Sequence, residues 1–197
     1  MQLNEVAVVK TGLVLSRKKA AFEHETKATY KLITLRNITD DGTIDLTSLE
    51  EFKSNDVLDN HYFTQEGDVL IRLSHPNSAV FIDKEASGLL IPSYFAIIKV
   101  NERKILPEFL AWYLNSKEIK KEFERFQSGS RIPSTNQNVI KTLPVTVTTI
   151  DKQKVLIEIY RLHLKEKELY RSLIEEKEKW FIGLSKQILH KSEDNHG

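Results

Sequence analysis

Residues 151–190 read DKQKVLIEIYRLHLKEKELYRSLIEEKEKWFIGLSKQILH, with no proline and a single glycine, Gly183. Val155, Ile159, Leu162, Leu169, Leu173, Trp180, Leu184 and Ile188 follow one another at steps of three, four or seven residues. That is the period of one face of an α-helix. Charged residues fill the other faces, with helix-compatible pairs such as Glu175 and Lys179. At about 1.5 Å per residue the helix would run for about 60 Å, further than a small domain can cover. Its apolar seam therefore calls for another long helix, from the same chain or from a second copy. Glu166 and the Glu176-Lys177 pair interrupt the seam, and Tyr160, Tyr170 and Phe181 widen it on one side. Polar residues at such positions weaken a coiled coil but help to set register and partner. The plainer alternative is a long helix packed on its own domain.

The 197 residues suffice for one domain ahead of this helix. Basic and acidic side chains nearly cancel, at 29 and 28, for a net charge of +1. A nucleic-acid binder is often more basic, so only a local basic face is open to this chain. There is no cysteine, which excludes disulfides, thiolate metal sites and cysteine nucleophiles. The opening MQLNEVAVVKTG has no signal-peptide pattern and no apolar run approaches 18 residues. The expectation is a cytoplasmic protein without a membrane segment.

In chain order, 3–9 suits a short helix or strand and Thr11-Gly12 a break. Ser16, Arg17, Lys18 and Lys19 form a basic patch in a loop, read either as phosphate contacts or as a solvated charge run. Strands are expected at 30–35, 43–46, 69–71, 79–82, 89–91, 94–100 and 144–147, from short apolar or alternating runs between turn residues. Pro107 opens an apolar helix. Ser116 caps a second, over 117–126, with Ile119, Phe123 and Phe126 inward, and Gly129 ends it. The fold class is thus α+β. A β-rich α/β domain over 1–150 is followed by a long helical spacer and dimerisation segment over 151–191 and a disordered tail over 192–197.

No catalytic constellation stands out. The Walker loop, GxGxxG, HExxH and GxSxG are absent, as are the FxGxG-like and NPPY-like motifs of methyl transfer from S-adenosylmethionine. The six histidines are scattered, so no metal site is expected. Polar loops at strand ends are the notable feature. They carry Arg17, Lys18 and Lys19; Arg36 and Asn37; Arg72, Ser74, His75 and Asn77; Ser93 and Tyr94; and Arg131, Ser134, Asn136 and Asn138. Arginine suits guanine edges, asparagine suits adenine edges, and serine or threonine suits bases or phosphates. Singly each residue is ordinary loop polarity; together, on one face, they would read DNA. Arg72, Ser74, His75, Asn77, Arg131 and Asn136 are expected to share that face.

In order along the chain, several segments resemble the specificity subunit of Type I restriction–modification systems. They are Leu3-Asn4-Glu5-Val6 with Thr11-Gly12, Tyr30-Lys31-Leu32-Ile33, Arg36-Asn37-Ile38 and Gly42-Thr43-Ile44. Next come Gly67-Asp68-Val69-Leu70-Ile71, Ile91-Pro92-Ser93-Tyr94-Phe95-Ala96-Ile97-Ile98 and Leu106-Pro107-Glu108-Phe109-Leu110-Ala111-Trp112-Tyr113-Leu114-Asn115-Ser116. Gln127-Ser128-Gly129-Ser130-Arg131-Ile132-Pro133 and Leu143-Pro144-Val145 with Ile150-Asp151-Lys152-Gln153 complete the set. The family often has several prolines before the helix and a glutamate before the glutamine; here Pro144 stands alone and Lys152 precedes Gln153. The resemblance implies a target-recognition domain followed by a helical spacer. Full-length members carry two such units in tandem, so this chain resembles a half subunit or a truncated one.

The resemblance further implies a non-catalytic subunit that binds double-stranded DNA and itself holds no cofactor. Methylation would belong to a partner methyltransferase using S-adenosylmethionine, and cleavage to a restriction subunit using ATP and Mg. Two copies are expected to pair antiparallel through Val155, Ile159, Leu162, Leu169, Leu173, Trp180, Leu184 and Ile188, each reading one half of a gapped palindrome. Two alternatives compete. A coiled-coil adaptor would dimerise without salt-dependent DNA affinity, and an enzyme with a tertiary site would need a polar pocket with perturbed ionisable groups.

Overall fold

The computed structural model describes residues 1–39, 41–127 and 135–193. Two compact units make up the chain, Met1–Val155 and Leu156–Gly197. The first is built on a four-stranded antiparallel sheet in the order β1-β6-β4-β5, with β1 at Ala7–Thr11, β4 at Asp68–Arg72, β5 at Ala79–Phe81 and β6 at Phe95–Val100. The central strands explain the long apolar runs. Val69, Leu70 and Ile71 of β4 and Phe95, Ala96, Ile97 and Ile98 of β6 are all buried, as strands covered on both faces must be. Register sets Leu70 beside both Val80 and Ile97, and these three join Ile33, Ile38, Ile82, Leu89, Ile91 and Phe95 in one core cluster. The alternate residues of β4 and β5 face helix α1, Pro107–Leu114, which packs on those two strands.

A second antiparallel pair joins β2, Ala28–Leu32, to β3, Glu50–Ser54. Leu32 and Phe52 from this pair meet Leu13, Leu58 and Leu90 in a smaller cluster. Helix α2 is Lys117–Gln127 and α3 is Gln137–Thr142. Ile119 and Phe123 of α2 are buried, but Phe126 is 51% exposed; it is one turn beyond the segment that meets the core.

Three expected strands are absent. Residues 43–46, 89–91 and 144–147 make only isolated bridges, Ile38↔Ile44, Leu32↔Leu90, Phe63↔Leu90 and Gln2↔Pro144. At 89–91 the apolar run is core, but its main chain serves two separate neighbours: Leu90 N donates to Lys31 O and Ile91 N to Tyr62 O. Conversely β3 was not expected, because its sequence EEFKS buries only Phe52 and Ser54.

The long helix α4 spans Ile150–Glu193, two residues into the stretch expected to be tail; 194–197 lie outside the described residues. Its first turn is anchored by Gln153, which is fully buried. Its Nε2 donates to Lys104 O at 3.1 Å and Thr148 O at 2.8 Å, and its Oε1 accepts from Leu106 N at 2.8 Å. All hydrogen-bonding capacity of that amide but one acceptor site is used inside the first unit. Along α4 the expected seam residues are exposed, from 37% at Leu184 to 68% at Leu162. Glu166, the polar interruption, has local partners in the Tyr170 hydroxyl at 3.4 Å and His163 Nδ1 at 3.9 Å. Among the described residues no helix is long and apolar enough to cross a membrane.

Candidate nucleic-acid interface

Antiparallel pairing gathers several of the polar loops at one end of the four-stranded sheet. Register sets Thr11 beside Ala96, Arg72 beside Phe95 and Ile71 beside Ala79. The chain after β1, the β4–β5 loop and the residues just before β6 therefore emerge side by side. Main-chain bonds tie them further. Leu73 N donates to Tyr94 O at 2.9 Å, Thr135 N donates to Leu73 O at 2.7 Å, and Ser93 N donates to Leu13 O at 2.7 Å. Leu73 is thus the junction of the loops bearing Arg72, Ser74 and His75, those bearing Ser93 and Tyr94, and that bearing Asn136. The approach of the first loop depends on Gly12: a Cβ there would fall 2.3 Å from the carbonyl oxygens of Ile91 and Pro92, leaving no room for any other residue.

Side chains at this end differ in availability. His75 and Asn136 are exposed; Arg72, Ser74, Ser93 and Tyr94 are half-buried. The Nε of Arg72 is buried with no hydrogen-bond partner among the described residues. Tyr94 titrates above the ordinary tyrosine range, chiefly because burial disfavours the phenolate and secondarily because Glu50 is near. It is therefore a neutral hydroxyl donor at pH 7. Asn136 caps α3, its Oδ1 accepting from Asn138 N at 2.9 Å and Val139 N at 3.2 Å. Asn138, also exposed, follows within the helix. Arg131 and Ser134 lie outside the described residues.

Two expected DNA-facing asparagines are buried instead. Asn37 is 0% exposed. Its Oδ1 accepts from the Thr34 main-chain N and Oγ1, both at 2.8 Å, and its Nδ2 donates to Asp45 O at 2.9 Å and Ser48 O at 3.4 Å. Asn77 is 1% exposed and holds φ at 54°, a left-handed conformation that asparagine tolerates better than most residues. Its Nδ2 donates to Arg72 O at 3.1 Å. Each amide closes a loop from within, and neither can meet a base while doing so. Residue type was legible in the sequence; burial was not.

The basic patch is separate from Arg36. Arg17 ends a 3-10 turn, Leu15–Arg17, and Lys19 bridges Ser54 at the far end of β3. Arg36 is exposed in the 3-10 turn Leu35–Asn37, which follows β2 at the opposite end of the β2–β3 pair. Within the patch Arg17 and Lys19 are exposed, whereas Lys18 Nζ bonds Asp56 Oδ2 at 2.6 Å. That hydrogen bond and the attendant charge attraction hold the Lys18 ammonium above and the Asp56 carboxyl below their ordinary ranges. Two residues that the sequence reading did not assign to the site also shape it, although Asn115 belongs to a segment that carries the family resemblance. Lys120 Nζ and the Asn115 amide, on and before α2, bond the main chain of the β4–β5 loop and β5. Among the described residues no group of three or more histidines or carboxylates is placed to hold a metal ion.

A sequence profile of the Type I restriction modification DNA specificity domain matches residues 1–176. The chain belongs to this family. Solved structures share the fold. The HsdS subunit from Thermoanaerobacter tengcongensis superposes with a TM-score of 0.64 at 16% identity, over 87% of this chain and 43% of that one. A chain from a structural study of complex assembly and conformational transition of the type I R-M system gives 0.66 at 16% identity, over 87% and 43%. The Type-I restriction-modification system S subunit from M. genitalium gives 0.52 at 16% identity, over 87% and 40%. The chain thus covers less than half the length of each of these solved relatives. No curated protein matches it. Membership establishes the α+β class, a β-sheet recognition domain with a long C-terminal helix.

Proposed function

We propose that this chain reads DNA sequence as a specificity subunit of a Type I restriction–modification complex, one half-site per chain. The observation that carries the reading is the junction at Leu73. It brings a half-buried arginine, an exposed histidine, a neutral tyrosine hydroxyl and an exposed asparagine to one end of one sheet. Family membership supplies the ligand class. Arg72, Ser74, His75, Ser93, Tyr94 and Asn136 are assigned to this surface, with Arg17 and Lys19 as phosphate contacts outside it. The recognition domain is assigned to 1–150 and the spacer to 151–191.

The eight seam residues of α4 are assigned to self-association. Each exposes more than a third of its surface in a single chain, and an apolar stripe of that extent is a hallmark of interaction surfaces. An antiparallel two-fold pair would use the same face on both copies and set two recognition domains about 60 Å apart. Identical domains then read a gapped palindrome. On this reading the chain carries no catalytic group and no cofactor. S-adenosylmethionine belongs to a methyltransferase partner, and ATP with Mg belongs to a restriction subunit.

The test is selection from a randomised duplex pool by the purified chain, with sedimentation on the same sample. A dimer that enriches one interrupted palindrome, with affinity falling steeply as salt rises, is expected. A dimer that enriches nothing and shows no salt-dependent binding would leave the adaptor reading in its place. A chain that stays monomeric at high micromolar concentration would sink the self-pairing.

A further inference from the structure

We propose that Lys120 is a specificity-positioning residue: it sets which bases the β4–β5 loop prefers by holding the loop's main chain, without itself touching DNA. The inference rests on the DNA-reading function proposed above. Lys120 is half-buried in the first turn of α2. Its Nζ donates to Pro76 O and Asn77 O, each at 2.8 Å, and to Asn115 Oδ1 at 3.3 Å. An ammonium has three N–H groups, and three carbonyl oxygens lie within hydrogen-bond distance of this one. A lysine that follows DNA phosphates needs a free head on a mobile stem; this one has neither.

The support beneath Lys120 is fixed in turn. Asn115 pairs with β5 in both directions, its Nδ2 donating to Ala79 O at 2.7 Å and its Oδ1 accepting from Ala79 N at 2.9 Å. Gly42, at φ 75°, passes so close that a Cβ would fall 2.4 Å from the Asn115 amide nitrogen. The loop is closed from its other side by Asn77, whose main-chain N donates to Ser74 O at 2.8 Å and whose Nδ2 donates to Arg72 O at 3.1 Å. Lys120 therefore clamps the descending limb of a loop whose ascending limb carries Arg72, Ser74 and His75.

Charge-assisted hydrogen bonds are the stronger kind, and base readout needs its donors placed to within about 0.5 Å. Loss of the clamp should leave the domain folded and the phosphate contacts intact, while the loop tip samples several positions. The consequence is confined to the base pairs this loop reads.

The experiment uses the full chain and a randomised duplex pool. Ser74→Ala and His75→Ala, in the ascending limb, first identify the base pairs the loop reads. Lys120→Met, which keeps the stem and removes the donors, is then profiled on the same pool. The expected result is a drop of at least tenfold in preference at those same base pairs, with an unchanged salt slope and a cooperative melting transition. A wild-type profile for Lys120→Met overturns the inference and leaves the DNA reading standing. So does an intact profile with a salt slope lowered by about one, which marks a phosphate contact. Loss of cooperative melting, or relaxation spread over the whole half-site, overturns it too, because Lys120 would then hold the domain and not the loop. A wild-type chain that enriches no site fails the DNA reading itself and takes this inference with it.

Discussion

An asparagine in a loop does different work according to whether its amide faces water. Asn37, buried with partners on Thr34, Asp45 and Ser48, holds the 34–48 segment together. Asn37→Ala should destabilise the domain by about 2–3 kcal/mol, because a main-chain donor and two carbonyls lose their partner in the interior; thermal melting measures this. Charge follows the same logic. Lys18 is spent on Asp56 while Arg17 and Lys19 are exposed. Arg17→Ala and Lys19→Ala should each reduce the salt slope of DNA binding by about one, and Lys18→Ala should reduce it less, as read from binding isotherms at several salt concentrations. The Asp56 carboxyl is held below its ordinary range by Lys18, so the stability it contributes is complete above about pH 4 and is lost as pH falls through the lower folded value. Asp56→Asn should accordingly flatten the melting temperature against pH below about pH 4.

At the scale of elements, the sheet and α4 rest on opposite kinds of stability. β4 and β6 are buried on both faces and bonded on both sides, so the strand that presents Arg72 is rigid. The seam residues of α4 are exposed among the described residues, and a helix draws most of its stability from packing of its apolar face. Leu169, 63% exposed and near the middle of the seam, is where pairing is most sensitive. Leu169→Lys would bury an unpaired ammonium in the paired form, at a cost of several kcal/mol. Sedimentation should show the dimer lost while the melting of the recognition domain is unchanged.

At the scale of the whole molecule, the proposed pairing makes helix length a ruler for DNA. A heptad inserted in the middle of α4 keeps the seam in phase and adds about 10 Å at about 1.5 Å per residue. That is about three base pairs at about 3.4 Å each. Selection from a randomised pool should return the same half-sites with the gap widened by about three. An unchanged gap would mean that contacts, not helix length, set the spacing. Inserting four residues instead turns the seam partly out of phase and should weaken the dimer.

Some of this was legible in the chain because it is local. The seam of α4 keeps helical period from Val155 to Ile188 despite its two polar interruptions, and such a run cannot be mistaken for a strand. Pro107 opens α1 and the apolar run at 69–71 is β4 for the same reason, that neighbours in sequence suffice to specify them. The ordered segments that resemble the specificity family also needed no structure. What escaped were features decided by distant partners. The apolar run at 89–91 looks like a strand, yet Leu90 bonds Lys31 and Ile91 bonds Tyr62, so it completes the core without joining a ladder. The charged EEFKS of β3 is a strand because β2 lies beside it. In the candidate site, loop composition pointed to DNA, but only the register of β1, β4 and β6 brings three loops to Leu73, and only the folded loops turn Asn37 and Asn77 inward. Hydrophobic period is a property of the local chain; burial and convergence come from pairings between residues far apart in sequence, and only the folded molecule makes those.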